Sequence, residues 1–527
     1  MIKQEIENLI EKAVGKKAVV VIPDNLTYGD FSTNVAIKEK LNAQEIAEKL
    51  QSNKLFKKVE AVNGFINFYL SESYWQNQVA VILKQKDSYG KSKLGKGAKA
   101  QVEFISANPT GPLTLGNGRG GFCGDVLANV LSWSGYNVER EYYVNDRGVQ
   151  IRALGHSVIG DEQAVYKGDY IDDLRKALWK EPSSFRERNS VPLIEGVEKV
   201  GKKAAKEILN KMIKPTVKRM GIKFDNWFSE ASLYKKNEVE KTLNWLKKQG
   251  LTYENEGALW FKSTKFGDDK DRVLVKADGE TTYLASDIAY LKNKKSRGFK
   301  KIFYFWGADH YGYVGRMQAA AKVLSFGEND INFIVMQLVQ LFKDGKEARM
   351  SKREGVYVTL DELIEEIVNE NSLGLDSIRY FFLSRGANSH LNFDLSLAKE
   401  QNDKNPVYYI QYAHARISSI LRKAEKNYQL PITNYQLLNH PAELKLIKQL
   451  ARLPEIIEET AKDFQVQRLA QYTKDVAADF HHFYSECLVI DKGNQELTKA
   501  RLALVGATKI VLKNTLSIMA ITAPEKM

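Results

Sequence analysis

The groups best able to meet a phosphate lie in residues 106–121, Ser-Ala-Asn-Pro-Thr-Gly-Pro-Leu-Thr-Leu-Gly-Asn-Gly-Arg-Gly-Gly. Gly111, Gly116 and Gly118 let backbone approach a ligand closely. A helix starting here turns free N–H groups and the positive end of its dipole toward an anion. Glycine-rich strand-to-helix turns also occur where no nucleotide binds. A second basic stretch follows far downstream. Residues 347–358, Glu-Ala-Arg-Met-Ser-Lys-Arg-Glu-Gly-Val-Tyr-Val, gather Arg349, Lys352 and Arg353 around Met350 and Ser351. A phosphate-binding loop and a solvated basic turn both read from that pentamer. Carboxylates supply the opposite chemistry. Tyr283 and Asp287 are four apart and share a face if the segment is helical, although Asp287 alone also reads as a cap or a surface ion pair.

These groups need elements to hold them. Val102–Ile105 reads as a strand and 122–133 as the helix beyond the glycines. Residues 137–151 look like a second strand and its loop. Residues 271–293 read as strand, Asp278-Gly279 turn and the start of a helix. Residues 301–320 read as buried strand, turn and helix, which puts Gly307, Ala308, Asp309 and His310 at a strand's carboxyl end, where open α/β sheets bind ligands. Residues 332–342 read as one further buried strand. From Thr359 onward the pattern is helical, over 360–385, 396–427, 442–462, 464–487 and 495–520. Tyr408, Tyr412 and Ile417 fall at core spacing. At the other end, residues 1–20 read as an amphipathic helix and Val19–Ile22 as a buried strand stopped by Pro23. Residues 29–41 read as a helix start capped by Ser32 or Thr33, and 59–70 as strand, glycine turn and strand. Residues 86–100 form a polar linker.

At 527 residues the chain is long enough for about three domains. No apolar run approaches the ~18 residues that span a membrane, and the polar N-terminus is not a signal peptide, so a cytoplasmic protein is expected. Cys123 and Cys487 lack metal-ligand spacing and read as reduced thiols. The net charge of +13 favours a polyanionic partner. Two clusters could track a phosphate backbone or simply be solvated: Lys292, Lys294, Lys295, Arg297, Lys300 and Lys301, and the run from Lys199 to Arg219.

The two basic or glycine-rich stretches resemble the paired HIGH and KMSKS signatures of class I aminoacyl-tRNA synthetases. Together with Gly-Asp-Phe-Ser-Thr-Asn-Val-Ala (29–36), Gly-Phe-Ile-Asn-Phe-Tyr-Leu (64–70), 220–234, 393–417 and the closing Ile-Thr-Ala-Pro-Glu-Lys-Met, they make nearly the whole chain resemble arginyl-tRNA synthetases. The resemblance implies an α/β fold: a class I synthetase Rossmann-like parallel-sheet catalytic domain, a small α/β N-terminal domain and an α-helical C-terminal bundle. Residues 1–90 would contact tRNA, 101–390 would be catalytic with an insertion near 155–260, and 391–527 would bind the anticodon. The implied reaction ligates L-arginine to the terminal adenosine 2′-hydroxyl of its tRNA through arginyl-adenylate. ATP would enter with Mg²⁺ as a substrate complex, without zinc, and the protein would be a monomer away from membranes.

Site roles carried over with the resemblance are as follows. Lys352 would neutralise charge on the phosphates, with Arg349, Met350, Ser351, Gly116, Gly118, Gly307 and Asp309 also on ATP, the last at its ribose. Ser106 and Asn108 would hold the substrate's α-amino group. Asp287, Tyr283 and Glu230 would face the guanidinium, a planar fork that pairs bidentately with carboxylate, and Glu103 would orient that pocket. The four HIGH positions are Thr114, Leu115, Gly116 and Asn117, so both imidazoles are absent. Thr114 and Asn117 would do their work as neutral donors, at a cost of about 1–2 kcal/mol per site. A class I synthetase for another amino acid and a non-catalytic tRNA-binding paralogue are the alternatives. In every RNA-binding version, affinity for tRNA should fall steeply with added salt; a filter-binding titration that stays flat from low to high salt would contradict this.

Overall fold

The computed structural model describes residues 2–23, 25–178, 194–347, 359–369, 373–425 and 434–527. Its centre is a sheet of five parallel strands, numbered here in chain order: β1 (Lys99–Glu103), β2 (Asn137–Val144), β3 (Asn226–Ser229), β4 (Lys301–Gly307) and β5 (Ile331–Met336). Their spatial order is β5-β4-β1-β2-β3. The apolar run Ile302–Trp306 in β4 suits a strand covered on both faces, and in β1 Ala100 to Glu103 are all buried although Gln101 and Glu103 are polar. From β1 the chain first winds outward through β2 and β3. It then returns to β1's other side for β4, which pairs with β1 from Lys301↔Ala100 to Tyr304↔Glu103. The order reverses at β1, so a crevice opens between the carboxyl ends of β1 and β4.

The glycine-rich turn leads into helix α1 (Leu115–Trp133), buried along most of its length. Two of its glycines serve packing. A Cβ on Gly124 would lie 2.4 Å from Phe104 Cγ, and one on Gly118 would lie 2.7 Å from Leu360 Cδ1. Small residues here let α1 seat against β1 and against the helix Leu360–Val368. Asp125 of α1 also accepts from Arg379 at 2.7 Å and from Arg140 at 3.1 Å, and Arg379 donates onward to the Met220 carbonyl at 2.8 Å.

Several local expectations are corrected. Val19–Ile22 makes no buried strand: Val19 is 61% exposed, and only Val21 bridges to Ser32. The helix expected from residue 29 begins at Val35. Phe31–Thr33 is instead a strand, because its three residues are buried against Phe65–Leu70. The N-cap position is Asn34, and it is Thr33 Oγ1 that accepts from the first helical N–H, of Val35, at 3.3 Å. The run 332–342 is not one strand: β5 ends at Met336, and Val339–Lys343 enters a different sheet with Lys346–Glu347 and Leu391–Asp394. Leu391–Asp394 also interrupts the helical C-terminal half; tertiary pairing overrode its helical surroundings. The hairpin at Asn63-Gly64 is as expected, with φ of 51° and 82° joining Phe56–Val62 to Phe65–Leu70.

The N-terminal module leans on the C-terminal helices. Gln76, on helix Glu72–Gln85, donates to the Gln436 and Leu438 carbonyls. Asn514 donates to the Lys86 and Tyr89 carbonyls, and Lys448 meets Asp30 at 2.6 Å. Of the three expected core residues in helix Pro406–Glu425, Ile417 is buried, but Tyr412 is 38% exposed and stacks on Tyr408. No helix among the described residues is long and apolar enough to cross a membrane. Asp125→Ala strands the buried Arg379 guanidinium. It should lower the unfolding free energy by about 3–5 kcal/mol, seen as an earlier urea transition of the catalytic body.

Candidate active site

The loop leaving β1 is strained where it enters the crevice. Ile105 has φ of 64° and Ser106 of 39°, a left-handed conformation that a β-branched residue rarely adopts and that costs about 1–3 kcal/mol per residue. The end of β2 holds it there. Ser106 Oγ accepts from the Tyr143 backbone at 3.1 Å, Tyr142 donates to the Ala107 carbonyl at 2.9 Å, and Asn108 Oδ1 accepts from Asn145 at 3.1 Å. Ser106 and Asn108 are thus fixed side by side over the β1–β2 ends.

Thr114 is the N-cap of α1 and forms a capping box with Asn117. The Thr114 backbone N–H and hydroxyl both donate to Asn117 Oδ1, at 2.9 and 3.0 Å. That contact fixes the amide's orientation, and the Asn117 Nδ2 hydrogens have no partner among the described residues. The Thr114 hydroxyl proton is committed to the cap. Gly116 is exposed at the helix start, with open space on its Cα.

An acidic pocket lies across the crevice. Helix α2 (Tyr283–Ser296) carries Tyr283 and Asp287 one turn apart, as their spacing required. Asp287 receives the Tyr313 hydroxyl at 2.7 Å. Burial pushes its carboxyl up to about 7. Glu230 starts the short helix after β3 and is 3% exposed, and its Oε2 has no hydrogen-bond partner among the described residues. Burial, and then the charge of Asp287, raise it to about 7 as well. Arg147 lies near enough to Glu230 to oppose that rise, and its guanidinium sits 3.2 Å over the Tyr234 ring. Two desolvated carboxyls beside an exposed tyrosine suit a cation rich in N–H donors.

Glu103 stands beneath this pocket rather than in its lining. Its Oε2 meets Lys294 Nζ at 2.5 Å and the Tyr290 hydroxyl at 2.9 Å. Burial raises the Glu103 carboxyl, and the Lys294 ammonium pulls it back. Tyr290 also reaches Glu141, which pairs with Arg297 at 2.5 Å. The basic run 292–301 is split. Lys294 and Arg297 are in ion pairs with the β1 and β2 carboxylates Glu103 and Glu141, Lys295 holds the Leu324 and Ser325 carbonyls, Lys292 covers Trp245, and Lys301 meets Asp330. Lys294 and Arg297 therefore serve the fold, while Lys295 and Lys300 stay exposed.

Beyond β4, a 3₁₀ segment, Ala308–Tyr313, carries Asp309, the residue expected at the ATP ribose, near its start. Asp309 is 81% exposed, and its Oδ1 would collide at 2.4 Å with any Cβ on Gly307. Arg349, Met350, Ser351, Lys352 and Arg353 lie outside the described residues. The stretch that holds them is followed by Thr359, which bridges to Thr114, and Leu360 N–H donates to the Leu113 carbonyl at 2.8 Å. Sequence reasoning missed Tyr313, Arg147 and Lys294. Only Tyr313 had a usable signal, four residues beyond Asp309 on the same turn.

Comparison with known proteins places this geometry. Three family descriptions match: arginyl tRNA synthetase N terminal domain over residues 1–70, tRNA synthetases class I (R), catalytic domain over 78–375, and DALR anticodon binding domain over 410–527. The arginine–tRNA ligase of Heliobacterium modesticaldum is 43% identical, covering 96% of this chain and 93% of its own. That of Listeria monocytogenes is 42% identical over 100% of this chain and 98% of its own. The solved arginyl-tRNA synthetase of Thermus thermophilus shares the fold, with a TM-score of 0.80 at 20% identity over the full length of both chains. A parallel sheet that reverses at β1, an acidic pocket at its carboxyl edge and near-full-length similarity to arginine–tRNA ligases agree, and the chain belongs to the arginyl-tRNA synthetases of class I.

Proposed function

We propose that the catalytic steps run across the β1–β4 crevice, with arginine on the Asp287 side and ATP on the Asp309 side. The chain is an ATP-using arginine–tRNA ligase. The arginine carboxylate attacks the α-phosphate of ATP, pyrophosphate leaves, and the tRNA's terminal 2′-hydroxyl takes the arginyl group from the adenylate. The observation that carries the assignment of sides is the pair Asp287 and Glu230, half-buried and buried, which includes an acceptor, Glu230 Oε2, with no partner among the described residues. A guanidinium satisfies that acceptor and draws both carboxyls into their charged forms. Ser106 and Asn108 hold the α-amino group, Tyr283 closes the outer side of the pocket, and Glu103 keeps α2 in place through Lys294.

On the ATP side, Asp309 takes the ribose, and Gly307 leaves room for it. The Asn117 amide supplies the neutral donor where the family signature has its second histidine, while Thr114 keeps the turn in shape. Gly116 leaves the helix start open to the phosphates, and Gly118 lets α1 close on Leu360. Arg349, Met350, Ser351 and Lys352, outside the described residues, act on the same phosphates, and the Thr114–Thr359 bridge ties the segment after them to the start of α1. Mg²⁺ comes bound to ATP. In this reading residues 1–90 contact the body of the tRNA, 101–390 perform the chemistry and 391–527 read the anticodon, in a cytoplasmic monomer.

Arginine-dependent ATP–pyrophosphate exchange, run with and without tRNA, tests the chemistry; no exchange under either condition sinks it. Arginine should bind weakly below pH 7 and more tightly as pH rises through about 7, where Asp287 and Glu230 ionise. Asp287→Asn should raise the arginine KM at least tenfold, since a charge-assisted bond contributes about 1.5–3 kcal/mol. Lys352→Ala should slow kcat by about 100-fold or more with little change in arginine KM, the mark of a contact made in the transition state. Equal losses in both constants would count against that role.

A further inference from the structure

The segment Ala308–Tyr313 begins beside Asp309 and ends on Tyr313, whose hydroxyl donates to Asp287 Oδ2 at 2.7 Å. One short turn therefore touches both substrate sides. Tyr313 is held from behind: its ring lies edge-on to Trp306, with centroids 6.1 Å apart, and the Arg316 guanidinium is 5.0 Å from it. Trp306 is in β4 itself, so the Tyr313 end of the turn is anchored to the sheet, while Asp309 near its start is 81% exposed. We propose that Tyr313 is a positioning residue that couples the two subsites, transmitting nucleoside occupancy at Asp309 to the arginine-binding carboxylate Asp287. The inference rests on the assignment of arginine to Asp287 and of the ribose to Asp309 made above.

The physical route is short. The Tyr313 hydrogen bond occupies one oxygen of Asp287 and leaves the other for the ligand. It also favours the ionised carboxylate, which burial disfavours. A ribose seated on Asp309 restrains the turn and so strengthens this bond, making Asp287 a better partner for a cation. The other groups facing Asp287 sit on other elements or on its own helix: Glu103 from β1, Tyr143 from β2, Glu230 from the end of β3, Tyr304 from β4, and Tyr283 and Lys294 from α2. None of them belongs to the turn that bears Asp309. Arg272 and Arg316 act on Tyr313 rather than directly on the carboxylate.

The test measures arginine binding by calorimetry from pH 5.5 to 8.5 (roughly the span around the carboxyl midpoint), with and without adenosine. Adenosine is the probe because it carries the ribose and lacks phosphate charge that would itself move a carboxyl. In the native chain, adenosine should lower the pH midpoint of arginine affinity and tighten arginine by about fivefold or more below that midpoint. Tyr313→Phe keeps the ring that packs on Trp306 and Arg316. It should raise the midpoint by about half a unit to one unit and abolish the adenosine effect. A native midpoint that ignores bound adenosine overturns the proposal without recourse to any variant. So does an adenosine effect that survives in Tyr313→Phe. Adenosine that does not bind, or an Asp287→Asn chain that binds arginine like the native one, instead locates the failure in the subsite assignment, and the coupling falls with it.

Discussion

The ion pair between Glu103 and Lys294 is the constraint on which the site depends. Glu103 is the last residue of β1, and Lys294 is fully buried on α2, seven residues after Asp287. Seven residues are two helical turns, so the two side chains share a face. Drawing Lys294 onto the end of β1 therefore turns Asp287 toward the same edge of the sheet. Charges taken out of water must be paired and hydrogen-bonded, because an uncompensated partner costs about 3–5 kcal/mol. Tyr290, Glu141 and Arg297 complete that pairing between β1, β2 and α2. The network leaves α2 little freedom to slide, which would separate several of these contacts at once.

Above this fixed base the site itself is left unsatisfied. Ile105 and Ser106 are held in a left-handed turn, Glu230 keeps an acceptor without a donor among the described residues, and Asp287 is raised to about 7 by burial. Each is unfavourable by itself. The strain is sustained by rigid surroundings: β2 grips the loop at Tyr142, Tyr143 and Asn145, and the packed glycines of α1 hold its other end. A prearranged site of this kind needs little rearrangement when ligand arrives, which is the condition for electrostatic stabilisation of developing charge.

The positive charge of the chain divides into two populations. Around α2, Lys294 and Arg297 pair with sheet carboxylates, while Lys295 and Lys300 stay exposed. On helix Ile194–Ile208, Lys199, Lys202, Lys203 and Lys206 stay exposed along one side, with Lys202 paired locally to Glu198. A net charge of +13 thus overstates what a nucleic acid can meet near the catalytic edge and understates how much of it holds the fold.

The amino-acid sequence determined the parts that rest on local rules. The glycine turn into α1, the Asn63-Gly64 hairpin, the helix that puts Tyr283 and Asp287 one turn apart, and the strand that ends at Gly307 all follow from spacing and backbone preference. The family signatures rest on the same residues. Tertiary structure decided what depends on partners remote in the chain. Val19–Ile22 has strand composition, but only Val20 is buried and only Val21 finds a bridge, to Ser32, and Leu391–Asp394 lies among helices but found the edge at Val339–Lys343. Glu103 and Lys294 are 191 residues apart, and Asp287 and Tyr313 are 26 apart across a strand. Short-range patterns describe what each segment prefers. Which cation a buried carboxylate takes, and which carboxylate stays open for a substrate, is settled only when the sheet brings distant segments within hydrogen-bond reach.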